Sequence, residues 1–183
     1  MACGGGAGTG SNSDSKSTSG AASVPSKLDI TLYGKSRTVE TKRGRFEVVV
    51  RRNGDLADSY YWLYLANVEI STEDDINKPL ASPEDVRLSF ELFRKPGTDI
   101  SAPVTIESFD AKTGGGVGDT LIKTHDGSRV IDSYAHEAPL TERKGTVKIT
   151  GANGDTVTGE VDVAYGDKIA VKGTFTAKIL MPK

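Results

Sequence analysis

The densest concentration of chemically useful side chains is Tyr60-Tyr61-Trp62-Leu63-Tyr64-Leu65, which holds the only tryptophan and half of the six tyrosines. In extended backbone, successive side chains alternate between faces. Tyr60, Trp62 and Tyr64 therefore share one face, and Tyr61, Leu63 and Leu65 share the other. A central strand covered on both sides would bury both faces. With one face in a core, the other presents flat aromatic rings suited to a sugar ring or to a protein partner. Tyr60, Trp62 and Tyr64 are the candidate binding residues.

Other combinations fall short of a working set. Glu73, Asp75 and Asn77 at alternate positions, with Glu84 at the twelfth, imitate a calcium-binding loop, but Lys78 stands where the sharp turn needs glycine. A looser calcium site from Glu73, Asp74, Asp75 and Asn77 is outweighed by the plainer reading of a solvated loop, so no metal or cofactor is expected. Gly114-Gly115-Gly116-Val117-Gly118 is followed by a strand pattern instead of the helix that phosphate cradling requires. His125-Asp126 and His136-Glu137 are chain neighbours and point to opposite faces on a strand. No Gly-x-Ser-x-Gly elbow occurs, and the one thiol, Cys3, sits where no base can be held against it. No catalytic residue is nominated, and no enzymatic activity is expected.

The elements that position these residues read as strands. Phe46, Val48 and Val50 alternate with charged residues, and Val86, Leu88, Phe90 and Leu92 alternate with Arg87, Ser89 and Glu91. The clearest run puts Ile169, Val171, Gly173, Phe175, Ala177, Ile179 and Met181 on one face, with Val171, Phe175 and Ile179 expected in the core. Further runs lie at Leu28–Tyr33, Tyr60–Ile70, Val104–Phe109, Thr120–Lys123, Arg129–Tyr134, Thr146–Thr150 and Val157–Tyr165. Turn pairs such as Asn53-Gly54, Pro96-Gly97 and Asn153-Gly154 separate them. No window of ten residues carries a helical stripe, though Ser82-Pro83-Glu84-Asp85 suits a single helical turn. The pattern predicts an all-β domain, an antiparallel β-sandwich of about nine or ten strands, with a flattened β-barrel as the alternative. The last three runs form a meander in which Val157–Val163 and Val171–Ala177 echo each other, with Gly where a neighbour approaches closely. These phrases resemble the C-terminal hairpins of secreted bacterial β-sandwich lipoproteins.

Composition sets the class. The 183 residues are 36% hydrophobic and 26% charged, with a net charge of −2. No apolar run reaches the length of a membrane helix, and the charge balance argues against nucleic acid as a partner. A single cysteine excludes an internal disulfide framework and Cys-based zinc. Charge is uneven: residues 27–52 carry net +5 and residues 53–85 net −7.

Residues 1–26 differ from the rest. Between positions 4 and 26, 13 of 23 residues are Gly or Ser, too polar to offset their ordering entropy, so a disordered tether is expected ahead of a single domain at 27–183. Ala2-Cys3-Gly4 directly before this tether resembles the mature start of a bacterial lipoprotein; a free thiol in a polar tail is the alternative. The resemblance implies lipidation at Cys3, a membrane as partner, and a bacterial cell-envelope location. Glycine after the cysteine resembles the outer-membrane or cell-surface sorting pattern. Together these readings describe a non-enzymatic, lipid-anchored surface or periplasmic β-sandwich module with a protein or carbohydrate ligand. A lipocalin-like carrier of small apolar ligands is the first alternative, and an extracytoplasmic hydrolase the second.

Overall fold

The computed structural model describes residue 1 and residues 26–53, 56–113, 116–128 and 130–181. Cys3 and most of the expected tether lie outside the described residues, as do Gly114 and Gly115. The fold is all-β. Its strands are β1 (Ser26–Leu32), β2 (Lys35–Thr41), β3 (Arg43–Asn53), β4 (Leu56–Ala66), β5 (Val86–Phe93), β6 (Glu107–Asp110), β7 (Val117–His125), β8 (Val130–Tyr134), β9 (Arg143–Asn153), β10 (Thr156–Tyr165) and β11 (Ile169–Leu180). One short helix, α1 (Glu73–Asn77), lies in the connection from β4 to β5. Among the described residues no helix is long and apolar enough to cross a membrane.

Eleven strands form, against the nine or ten expected. The additional one is β2, whose sequence KSRTVET has a single large apolar residue, Val39. Pairing makes it a strand, from Ser26↔Thr41 to Leu32↔Lys35, across a turn at Tyr33-Gly34 where both residues take positive φ (49° and 78°). Glycine accepts that geometry freely, whereas tyrosine is strained in it. The single helical turn also falls elsewhere than Ser82. There Asp85 accepts hydrogen bonds from the Ala81 and Ser82 amides and from the Ser82 hydroxyl, which makes a tight bend.

The strands run in the order β6-β9-β10-β11-β3-β4-β5-β7-β8, and the two ends do not pair. The flattened barrel is therefore not realised. The sheet instead folds over into two layers. The Thr120 hydroxyl on β7 meets the Tyr165 hydroxyl on β10 at 2.7 Å. Phe109 on β6 packs edge-on against Tyr61 on β4, with ring centroids 6.1 Å apart. Between the layers lie Phe46, Tyr61, Leu63, Phe90, Phe109, Val147, Val161, Val171 and Phe175, all buried.

β11 is the junction of the sheet. It pairs with β10 from Tyr165↔Ile169 to Thr156↔Lys178. On its other edge β1 covers residues 169–173 and β3 takes over in parallel at Lys178–Leu180, an exception to the antiparallel pattern. Between the two, the Thr176 amide donates to Ser26 Oγ at 2.8 Å. As expected, Val171 and Phe175 are core residues; Ile179 is half-buried against the core, and Met181 is exposed. Two glycines in the echoed phrases are required by close approach. A Cβ at Gly159 would lie 2.3 Å from the Phe175 ring, and one at Gly173 2.0 Å from the Lys27 carbonyl.

Candidate functional site

β4 settles its own orientation. Tyr61, Leu63 and Leu65 are at most 1% exposed and fill the core. Tyr60, Trp62 and Tyr64 therefore face outward, half-buried. Trp62 and Tyr64 stack, with centroids 5.8 Å apart and planes 23° apart. Tyr60 meets the Trp62 edge at 6.1 Å and leans on Phe93 of β5 at 6.3 Å. The outer face thus carries a continuous row of four rings.

Register then fixes the neighbours. Across β5, Tyr64 faces Ser89 and Ala66 faces Arg87. On β7, Leu121 faces Ser89 and Lys123 faces Arg87. On β3, Glu47 faces Trp62 and Arg45 faces Tyr64, and those two charged side chains form an ion pair.

α1 walls this surface at one end. Thr72 Oγ1 accepts from the Asp75 amide at 3.1 Å, and the Asp75 carboxylate accepts from the Thr72 amide at 3.0 Å, a reciprocal cap. These bonds, with the Lys78 ammonium bonded to the same carboxylate as the largest contribution, pull the Asp75 pKa down to about 2. Two arginines dock the segment onto the sheet. Arg45 Nη1 donates to the Ser71 carbonyl at 3.1 Å. Arg87 donates to the Asp75 and Lys78 carbonyls, both at 2.8 Å, a cation placed on the C-terminal carbonyls of the helix.

The result is a cleft of about 270 Å³. Trp62 and Tyr64 form one side, Ile76 and Asn77 of α1 the wall, and Arg87, Ser89, Leu121 and Lys123 the rest. Burial pushes the Tyr64 hydroxyl well above the usual tyrosine range, so it remains a neutral donor. Burial also lowers the Arg87 pKa, although a guanidinium stays charged. A stacked aromatic pair, an amide, a hydroxyl and two cations in one concavity can hold a flat-faced polar ring. A second hollow of about 540 Å³ opens beside Arg45, Glu47, Ser71 and Glu73.

Of the three residues singled out in the sequence, the structure brings Trp62 and Tyr64 to the cleft, while Tyr60 buttresses Trp62 from outside it. Sequence reasoning placed Arg87 and Ser89 on the polar face of their strand, yet not beside the aromatic row, because strand order is not written in either segment. Asp75 belongs to the helix cap, and among the described residues no three His, Cys, Asp or Glu side chains come together to hold a metal. His125 Nδ1 accepts from the Gly127 amide at 2.9 Å in a turn; the His136 side chain lies outside those described. Gly116 leads into β7, and its carbonyl accepts from the Phe93 amide at 2.9 Å. No family model, curated protein or solved structure matches the chain.

Proposed function

We propose that this chain is a non-enzymatic, lipid-anchored module of the bacterial cell envelope that binds carbohydrate on the outer face of β4. The observation that carries the reading is Trp62 stacked on Tyr64 inside a concave cleft rimmed by Asn77, Ser89 and Lys123. The C–H face of a sugar ring is apolar and weakly positive, so it lies well on the negative face of an aromatic ring, while its hydroxyls need donors and acceptors around the edge. No histidine or carboxylate is among the described residues that line this cleft, which favours binding over hydrolysis. Phe46, Phe90, Phe109 and Phe175 fill the space between the layers, where a carrier of apolar ligands would need a hollow. The envelope location rests on the sequence around Cys3.

Electrophoresis through native gels cast with soluble polysaccharides tests the binding. Wild type should be retarded by at least one polysaccharide, and Trp62→Ala and Tyr64→Ala should run as in an empty gel. Retardation of all three proteins alike would move the site away from β4. Free migration of wild type in every gel would remove the carbohydrate reading.

A further inference from the structure

Resting on that reading of the β4 face, we infer that the sugar is acidic: a glycan whose ring stacks on Trp62 and Tyr64 while its carboxylate meets Arg87 and Lys123. The cleft, at about 270 Å³, is smaller than the 300–1,000 Å³ or so typical of pockets for drug-sized ligands, and suits a single ring. Its two charged lining residues are both cations.

Arg87 is only 4% exposed. Its guanidinium donates to two backbone carbonyls, and no carboxylate of the described residues lies within ion-pair distance of it. Asp132 acts on it only at longer range, and a buried cation without a bonded counter-charge is costly, so an arriving anion supplies a direct partner. Lys123 stands beside it across the β5–β7 pair. Its one anionic partner is Asp132, 3.4 Å away, both side chains being about one-third exposed. Such a pair is weak in water, so a ligand carboxylate can take the lysine from it.

The remaining acids on this face do not cancel the effect. Glu91 is buried, accepts from the Asp119 amide at 3.4 Å, and does not line the cleft. Glu47 and Glu73 line the second hollow instead, so a sugar carboxylate is steered to the side of Arg87. The attraction is local, since the chain as a whole carries −2.

Trp62 is the sole tryptophan, so its fluorescence reports on this cleft directly. Oligomers of polygalacturonate, alginate and hyaluronate are titrated into the full chain, each beside its carboxyl-reduced counterpart. At least one acidic oligomer should shift the emission with an affinity about tenfold or more above its reduced form, and rising salt should erode that difference. Lys123→Met should weaken binding of the acidic oligomer several-fold more than binding of its reduced form. Arg87 also docks α1, so its replacement risks the cleft itself. Asp132→Asn supplies the independent arm: removing the competing anion should tighten the acidic oligomer two- to threefold. Equal affinity for acidic and reduced forms, with Asp132→Asn silent, would overturn the charge assignment and leave the β4 face a neutral-sugar site. No fluorescence response to any glycan, acidic or reduced, would overturn both.

Discussion

The contact between Gly159 and Phe175 predicts a measurable energetic coupling. The two residues face each other directly across β10 and β11, and the Phe175 ring occupies the space a side chain at 159 would take. A methyl there would lie 2.3 Å from Phe175 Cζ and 2.2 Å from the Lys148 carbonyl oxygen, against the 3.5–4.0 Å or so of relaxed carbon contacts. Gly159→Ala should therefore cost about 3 kcal/mol, the upper end for overpacking. Phe175→Ala empties a buried site and should cost about 3–5 kcal/mol. In the double variant the new methyl enters the space the ring has left, and only the clash with the Lys148 carbonyl persists. The combined loss should fall short of the sum by about 1–2 kcal/mol, well beyond the 0.3–0.5 kcal/mol or so of independent sites. Urea unfolding followed by Trp62 fluorescence measures all four proteins. Additivity within about 0.5 kcal/mol would refute the packing argument, and wild-type stability of Phe175→Ala would refute the assignment of that face to the core.

Further outcomes follow from other parts of the molecule. Tyr33 holds a positive φ of 49° at 60% exposure, so Tyr33→Asn, which favours that turn, should raise Tm by about 2–4 °C through roughly 1 kcal/mol of relieved strain. A lower Tm would mean that the tyrosine ring contributes more than its backbone costs. Asp75 has its pKa lowered to about 2 from an ordinary value of 3.8. Its stabilisation is therefore complete above pH 4 and lost as pH falls toward 2. The Tm gap between wild type and Asp75→Asn should shrink over that interval, and a gap constant from pH 6 to pH 2 would contradict the cap. With a native signal peptide, Cys3→Ser should move the protein from the detergent to the aqueous phase, and identical partitioning of the two would dismiss the anchor. Removal of residues 1–25 should leave Tm almost unchanged. The cut must spare Ser26, which is 5% exposed and tied to Thr176.

Most strands were legible because their cores announce themselves at a period of two. The run from Ile169 gave the buried face, and the alternation at 86–92 gave the face toward the core, although Arg87, Ser89 and Glu91 on the other face are buried as well. β2 was not legible, since KSRTVET has too few apolar residues to reveal a face and owes its extension to β1. α1 escaped for a different reason. It is five residues long, too short for any hydrophobic stripe, although Thr72 followed three positions later by Asp75 was an available capping signal. The aromatic segment was conspicuous, but both of its faces are apolar, so only the packing of Tyr61 against Phe46 and Phe109 decides which one is interior. The partners of Trp62 come from α1, β5 and β7, whose adjacency depends on strand order and on the docking of the 67–85 connection by Arg45 and Arg87. Neither is a local property of the chain.

The junction at β11 also bears on biosynthesis. Of the strands described, β1 is made before the others and β11, one of its two partners, after them, and the bond between Ser26 and Thr176 spans 150 positions. At about 5–20 residues per second, on the order of 10–30 s separate the synthesis of the two ends. Throughout that interval β1 has only β2 beside it, and the edge of β3 that β11 will take lies open. The nascent fold thus stays unfinished until β11 arrives. Any product terminated before Ile169 lacks the strand on which β1, β3 and β10 converge, so truncated chains expose three edges at once and become ready substrates for proteolysis.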